Sequence, residues 1–224
     1  MLIDHIGVIF FPRVLFWRMI GRLAMPIFAY MVAEGCRYTR SPIRYLSGLL
    51  ICAVVCQIGL YIGTASTNLC IMATFSLGIV LTFCLQAFKA ALFDRRCHWL
   101  KKALWALVFV LAVFFARVLC KHIYMDYGFW GSMLPVFASL FHLPDTAPRF
   151  LKKLDNKWVH IAIFSIGLLL LCRTYSWVQY YSLLSLPLLL CYNGRRGKIK
   201  LKNFFYIFYP AHLALLYGLF WLLQ

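Results

Sequence analysis

Residues 69–88 read LCIMATFSLGIVLTFCLQAF, an unbroken run without Asp, Glu, Lys, Arg or His. Coiled into an α-helix at about 1.5 Å per residue, the run is about 30 Å long, the thickness of a bilayer's hydrocarbon core. Similar stretches flank it on both sides: Met19 to Gly35, Tyr45 to Gly63, Ala103 to Leu119, Tyr127 to Leu143, Trp158 to Cys172, Ser176 to Tyr192 and Phe204 to Leu223. A shorter one, Met1 to Pro12, begins the chain. Backbone polar groups in lipid must be satisfied within the segment, so such stretches are helices. The pattern predicts an all-α, polytopic transmembrane helical bundle of about nine helices, the first one short, in a single domain over residues 1–224.

Composition agrees. Of 224 residues, 64% are apolar, 18% aromatic and only 13% charged, and the mean hydropathy is +0.82. A soluble domain is about 45–50% apolar and about 25% charged. A soluble enzyme, a disordered chain and a secreted disulfide scaffold are excluded. The nine cysteines sit mostly inside apolar runs with no C-x-x-C pair, so they read as small buried hydrophobes. No metal site is expected. No P-loop, G-x-S-x-G, H-E-x-x-H or dinucleotide fingerprint is present.

The net charge of +17 comes from 23 Lys and Arg against 6 Asp and Glu. Its distribution is uneven. The connections after segments two, four, six and eight hold Arg37, Arg40 and Arg44; Lys89, Arg95, Arg96, Lys101 and Lys102; Arg149, Lys152, Lys153 and Lys157; and Arg195, Arg196, Lys198, Lys200 and Lys202. The alternate connections hold only Arg13, Arg18, Arg117, Lys121 and Arg173. Positive loops stay in the cytoplasm. The asymmetry predicts a multi-pass protein of the cell membrane with a cytoplasmic N-terminus and an external C-terminus. The basic loops then touch anionic lipid headgroups. Nucleic acid is not an expected partner, because the basic residues are scattered over separate loops.

An ionisable group at bilayer depth is costly and is a functional candidate. Asp4 and His5 stand together in the first segment, followed by Gly7, which permits close approach of a neighbour. Arg22, Pro26, Tyr30 and Glu34 recur at i+4 steps and would form one stripe along segment two, kinked where Pro26 frees the carbonyl of Arg22. His212 lies in the last segment beside Tyr209, and Pro210 frees the carbonyl of Tyr206. Asp126 and Tyr127 open segment six. Asn68 reads as the helix cap of segment four, while His98, His122, His142 and His160 read as interfacial.

Asp-His-Ile-Gly at 4–7, Gly-Arg-Leu-Ala-Met-Pro-Ile-Phe-Ala at 21–29, Glu-Gly at 34–35, Asp-Tyr-Gly at 126–128 and Phe-Tyr-Pro-Ala-His-Leu at 208–213 resemble the TraX family, in order and over nearly the whole chain. That family's named member acetylates the N-terminus of conjugative pilin, and the family is similar to membrane acyltransferases that draw acetyl-CoA from the cytoplasm. The resemblance implies Asp4, His5, Arg22, Pro26 and His212 as the polar core. It also implies one or two further helical turns before the Asp-His pair, so the start at Met1 reads as late or truncated. Acetyl-CoA is the expected donor, and a pilin-like protein or another acceptor the expected partner.

The chemistry suits these residues. His5, oriented by Asp4, is the expected base or acetyl relay, with His212 a second proton carrier. Arg22 or Tyr30 is placed to hold an oxyanion. Tyr30, Glu34, Arg37, Tyr209, Asp126 and Tyr127 are expected to bind substrate or donor, with the CoA phosphates on the basic loops. Two alternatives stay open: O-acetylation of a lipid or glycan, and a non-enzymatic transporter or assembly factor with a polar path.

Overall fold

The computed structural model describes residues 1–194 and 202–222. Most of the basic connection after segment eight, from Arg195 to Lys200, lies outside the described residues, as does Leu223 at the end of segment nine. Every apolar segment forms helix. In chain order these are α1 (Leu2–Ile9), α2 (Leu15–Arg22), α3 (Ala24–Tyr38), α4 (Pro42–Thr64), α5 (Ile71–Phe93), α6 (Trp99–His122), α7 (Gly128–Ser139), the single turn α8 (Arg149–Lys152), α9 (Lys157–Thr174), a 3-10 helix (Trp177–Leu184), α10 (Ser185–Cys191) and α11 (Lys202–Leu222). The protein is an all-α, multi-pass membrane bundle.

Five helical spans among the described residues are long and apolar enough to cross a membrane: Leu15–Tyr38, Pro42–Gly63, Ile71–Phe93, Trp99–His122 and Lys157–Thr174. The other four segments are shorter, each for a visible reason. α1 has only 8 residues. α7 has 12 and carries Pro135 inside it. Segment eight starts as a 3-10 helix, whose rise of about 2.0 Å per residue stretches a short segment further. In α11, the apolar stretch is Tyr206–Leu222.

The span Leu15–Tyr38 is broken at Leu23, whose N–H bonds to the Ile20 carbonyl at 3.2 Å. Pro26 causes the break: it lacks an N–H for the Arg22 carbonyl, and its ring crowds that same carbonyl. α2 therefore ends on Arg22.

The core lies where α3, α5, α7 and α9 meet, around Phe75, Ile79, Leu134, Phe164 and Leu168. α5 can approach α7 closely because Gly78 has no side chain; a Cβ there would stand 2.8 Å from the Ser132 carbonyl oxygen. Hydroxyls inside the bundle bond back to their own helices, Ser76 to Met72 O at 2.9 Å and Thr82 to Gly78 O at 2.7 Å, so they cost little in lipid. α6 is peripheral: Ala116 is its one buried residue, and Leu107, Val110, Phe114 and Phe115 are exposed, as a lipid-facing helix requires.

Two connections differ from the sequence reading. α5 begins at Ile71 with Cys70 as its cap, so Asn68 is not the cap. Instead the 65–70 and 123–127 loops are stitched together: Leu69 N–H bonds Tyr124 O at 3.0 Å, and Asp126 N–H bonds Leu69 O at 3.0 Å. Lys89 is not a loop charge. It lies inside α5, 6% exposed, and donates to the carbonyls of Ser139 and His142 at 2.7 Å each. A cation there satisfies the orphan acceptors at the C-terminal end of α7.

Candidate functional site

Asp4 and His5 are adjacent on α1, so they point about 100° apart around its axis. Asp4 faces α2, where its Oδ1 is 3.6 Å from Arg18 Nε. The contact is possible because α1 and α2 almost touch: a Cβ at Gly21 would lie 2.7 Å from the Asp4 Cα. His5 faces α11. Its Nδ1 donates to the Met1 carbonyl at 3.0 Å and lies 3.4 Å from His212 Nε2. His212 Nδ1 donates to the Phe208 carbonyl at 2.8 Å.

These carbonyls settle the tautomers. A ring nitrogen against a carbonyl must carry the proton, so in each neutral ring Nε2 holds the basic lone pair. His5 Nδ1–H is thereby shared between Met1 O and His212 Nε2. Each imidazole bonds the carbonyl four residues back on its own helix, so α1 and α11 hold their rings rigidly. Tyr209 packs edge-on against both, with ring centroids 6.3 Å from His5 and 5.2 Å from His212.

One expectation changes here. Asp4 does not orient His5; the Met1 carbonyl does, and Asp4 is spent on Arg18. The carbonyl freed by Pro210 finds a partner on a neighbouring helix. Tyr206 O accepts from the Cys52 thiol at 3.7 Å.

Arg22, at the broken end of α2, sends Nη1 to the Tyr127 hydroxyl at 2.6 Å. Its Nε is buried with no hydrogen-bond partner among the described residues. Tyr127 is held for this contact by a left-handed backbone (φ 60°) at the N-terminus of α7. Asp126 precedes it, its carbonyl accepting from Thr74 Oγ1 at 2.5 Å. Burial pushes the Asp126 carboxyl up to about 6, partly opposed by the Arg22 charge.

Asp4, His5, Arg22, Asp126, Tyr127 and Tyr209 all line one cavity of about 550 Å³, and His212 backs His5 behind it. The cavity opens between the 65–70, 123–127 and 175–176 connections, at the end of the bundle that carries few basic residues. Two of its other polar residues escaped the sequence reading. Arg18 looked like a connection residue, although it stands one turn before Arg22. Gln179, only 2% exposed with its Nε2 unpartnered, is a lone amide in an apolar segment.

Tyr30, Glu34 and Arg37 do not join this cavity. Glu34 lies twelve residues beyond Arg22, about 18 Å further along the span. These three line a second cavity of about 260 Å³ at the basic end, with Tyr192, His142 and His160. The expected stripe from Arg22 to Glu34 is interrupted by the break at Leu23. Tyr30 is sealed by the rings of Phe164 and Tyr192, at 5.5 and 6.3 Å.

His98 and His122 are exposed, as an interfacial position requires. His142 and His160 are not interfacial: their side chains are 8% and 6% exposed. Two residues of the 140–156 connection account for this: His142 meets Glu34 of α3, and Asp155 meets His160 of α9.

No curated protein and no solved structure matches the chain. A family model described as TraX protein matches residues 1–220, which takes in the Asp4–His5 pair, Arg22, the Asp126–Tyr127 corner and His212 together. The protein therefore belongs to the TraX family.

Proposed function

We propose that the protein is a membrane acetyltransferase that moves an acetyl group from acetyl-CoA to an acceptor amine, the N-terminus of a pilin-like protein in a conjugation system. One observation supports this most: a histidine whose tautomer is set by backbone shares a cavity with a guanidinium whose Nε has no partner. An α-amino group has a pKa near 7.7–8.0, so it needs only a modest base to attack. The amine nitrogen adds to the thioester carbonyl and gives its proton to His5 Nε2. The oxyanion is held by Arg22 Nε and the Tyr127 hydroxyl. The C–S bond then breaks, the thiolate leaves, and the proton on His5 passes to it as CoA–SH.

The two substrates would arrive from opposite ends. An apolar groove of about 710 Å³ runs along α11 from Tyr45 and Phe204 at the basic end to Met1 and Tyr209, and these last two also line the polar cavity. With the basic end in the cytoplasm, the groove takes the pantetheine arm, and Arg37, Arg40 and Arg44, around the α3–α4 connection, meet the CoA phosphates. The acceptor amine enters at the other end, outside. The test is incubation of purified protein with labelled acetyl-CoA and a pilin N-terminal peptide, scoring CoA release and label transfer. Label on a lipid or glycan hydroxyl would move the acceptor class. Neither CoA release nor label would overturn the reading and favour a non-enzymatic role.

A further inference from the structure

The basic end holds a second constellation that the proposed acetyl transfer does not use. His142 follows α7, Asp155 precedes α9, and His160 lies on the first turn of α9. One ligating atom from each lies within 4.8 Å of the other two. The two imidazoles stand at 90° with centroids 4.1 Å apart. Asp155 Oδ1 is 3.0 Å from His160 Nε2, and Glu34 Oε1 is 3.9 Å from His142 Nε2. Both ring nitrogens of His142 are buried without a hydrogen-bond partner among the described residues.

Buried imidazole nitrogens are costly unless something meets them, and here one nitrogen of each ring faces a carboxylate, His160 Nε2 that of Asp155 and His142 Nε2 that of Glu34. Ligands around one ion do this: their lone pairs face a common point instead of each other. With metal–ligand distances of about 2.0–2.1 Å, ligand atoms on one tetrahedral edge lie about 3.3 Å apart, close to the spacing of Asp155 Oδ1 and His160 Nε2. The surroundings hold the ligands in place. Leu143 N–H donates to Asp155 Oδ2 at 3.3 Å, which turns Oδ1 toward His160, and Lys89 pins the His142 carbonyl at 2.7 Å. Such second-layer contacts are what orient metal ligands.

We propose that His142, Asp155 and His160 bind a divalent transition-metal ion, zinc foremost, with Glu34 as the fourth ligand. Two imidazoles and carboxylates suit zinc better than magnesium or calcium, which prefer oxygen alone. The ion ties α3, the end of α7 and α9 together at the basic end. Its role is independent of the acetyl transfer.

The full-length protein in detergent, stripped with EDTA, is titrated with zinc chloride and followed by bound metal and by thermal unfolding. One zinc per chain is expected, with a rise in Tm that EDTA reverses. Cobalt chloride should give the visible absorption of a low-coordinate ion, a readout on the wild-type protein that needs no variant. His160→Ala and Asp155→Asn should each weaken zinc binding more than about 100-fold, beyond the 10–100-fold lost with an outer partner. His122→Ala, an exposed histidine on α6, should leave it intact. A wild-type protein that takes up neither ion, or binding that survives both His160→Ala and Asp155→Asn, overturns the proposal.

Discussion

His212 Nε2 stands 3.4 Å from His5 Nδ1, which joins the last apolar segment to the first across 207 positions of chain. The two rings are not equivalent. His212 spends Nδ1 on the Phe208 carbonyl and Nε2 on His5, whereas His5, which lines the cavity, uses only Nδ1 in these contacts. His5 is therefore the ring that can take a proton from a substrate, and His212 the ring that steadies it.

That asymmetry orders two variants. His5→Asn keeps a polar side chain but removes the base, and acetyl transfer should fall by about 10²–10⁴. His212→Asn removes one supporting hydrogen bond, worth about 1 kcal/mol, and should cost about fivefold. Both are read as initial rates on detergent-purified protein. A larger loss at His212 than at His5 would exchange the two roles.

Much of this was legible beforehand, and the failures share a cause. The helices follow from apolar length, and the break at Leu23 follows from Pro26. Asp4, His5, Arg22 and His212 stood out as charges or imidazoles in apolar runs. What could not be read was which of them meet. The Asp4–Arg18 pair depends on how α1 docks on α2, and one 100° step separates a carboxylate facing α2 from one facing His5. Lys89, His142 and His160 were misplaced because a polar residue near a segment's end reads as wet. Here each finds a partner inside the protein: Lys89 the Ser139 and His142 carbonyls, His142 the Glu34 carboxylate and His160 the Asp155 carboxylate.

Gly21 should be intolerant of a side chain. A Cβ there would lie 2.7 Å from the Asp4 Cα, which is backbone and cannot swing away. Gly21→Ala should push α1 off α2 and cost about 1–3 kcal/mol, as overpacking does. The loss appears as a lower Tm in detergent, with activity falling alongside it. At exposed Gly59, where nothing lies within 4 Å, the same change should be neutral.

Asp126 should make stability depend on pH. Its folded carboxyl is raised to about 6 from an ordinary 3.8 by burial. At the acid extreme both folded and unfolded forms hold the proton, and no penalty applies. Between the two values the folded form binds more protons, so stability falls as pH rises, and the full cost is present above about pH 6. Asp126→Asn, neutral throughout, should flatten this slope and raise Tm relative to wild type at pH 8. An unchanged slope in that variant would assign the dependence to another group.

Arg22 is the sharpest test of the site. An arginine whose charge merely reaches the membrane interface can be replaced by lysine, which reaches as far. Arg22 does something a lysine cannot copy. Its planar fork gives Nη1 to the Tyr127 hydroxyl at 2.6 Å while Nε stays buried and unpartnered. A lysine ammonium is one point charge: placed at Tyr127 it leaves the Nε position empty, and placed at that position it abandons Tyr127. Loss of one oxyanion donor costs about 10²–10³ in rate. Arg22→Lys should therefore lose activity on that scale, with membrane insertion and yield unchanged. Tyr127→Phe removes the neutral oxyanion donor and the Arg22 brace but keeps the guanidinium charge, and should lose less. Near wild-type turnover in Arg22→Lys would reduce Arg22 to a structural brace for α7 and leave the oxyanion without its charged donor.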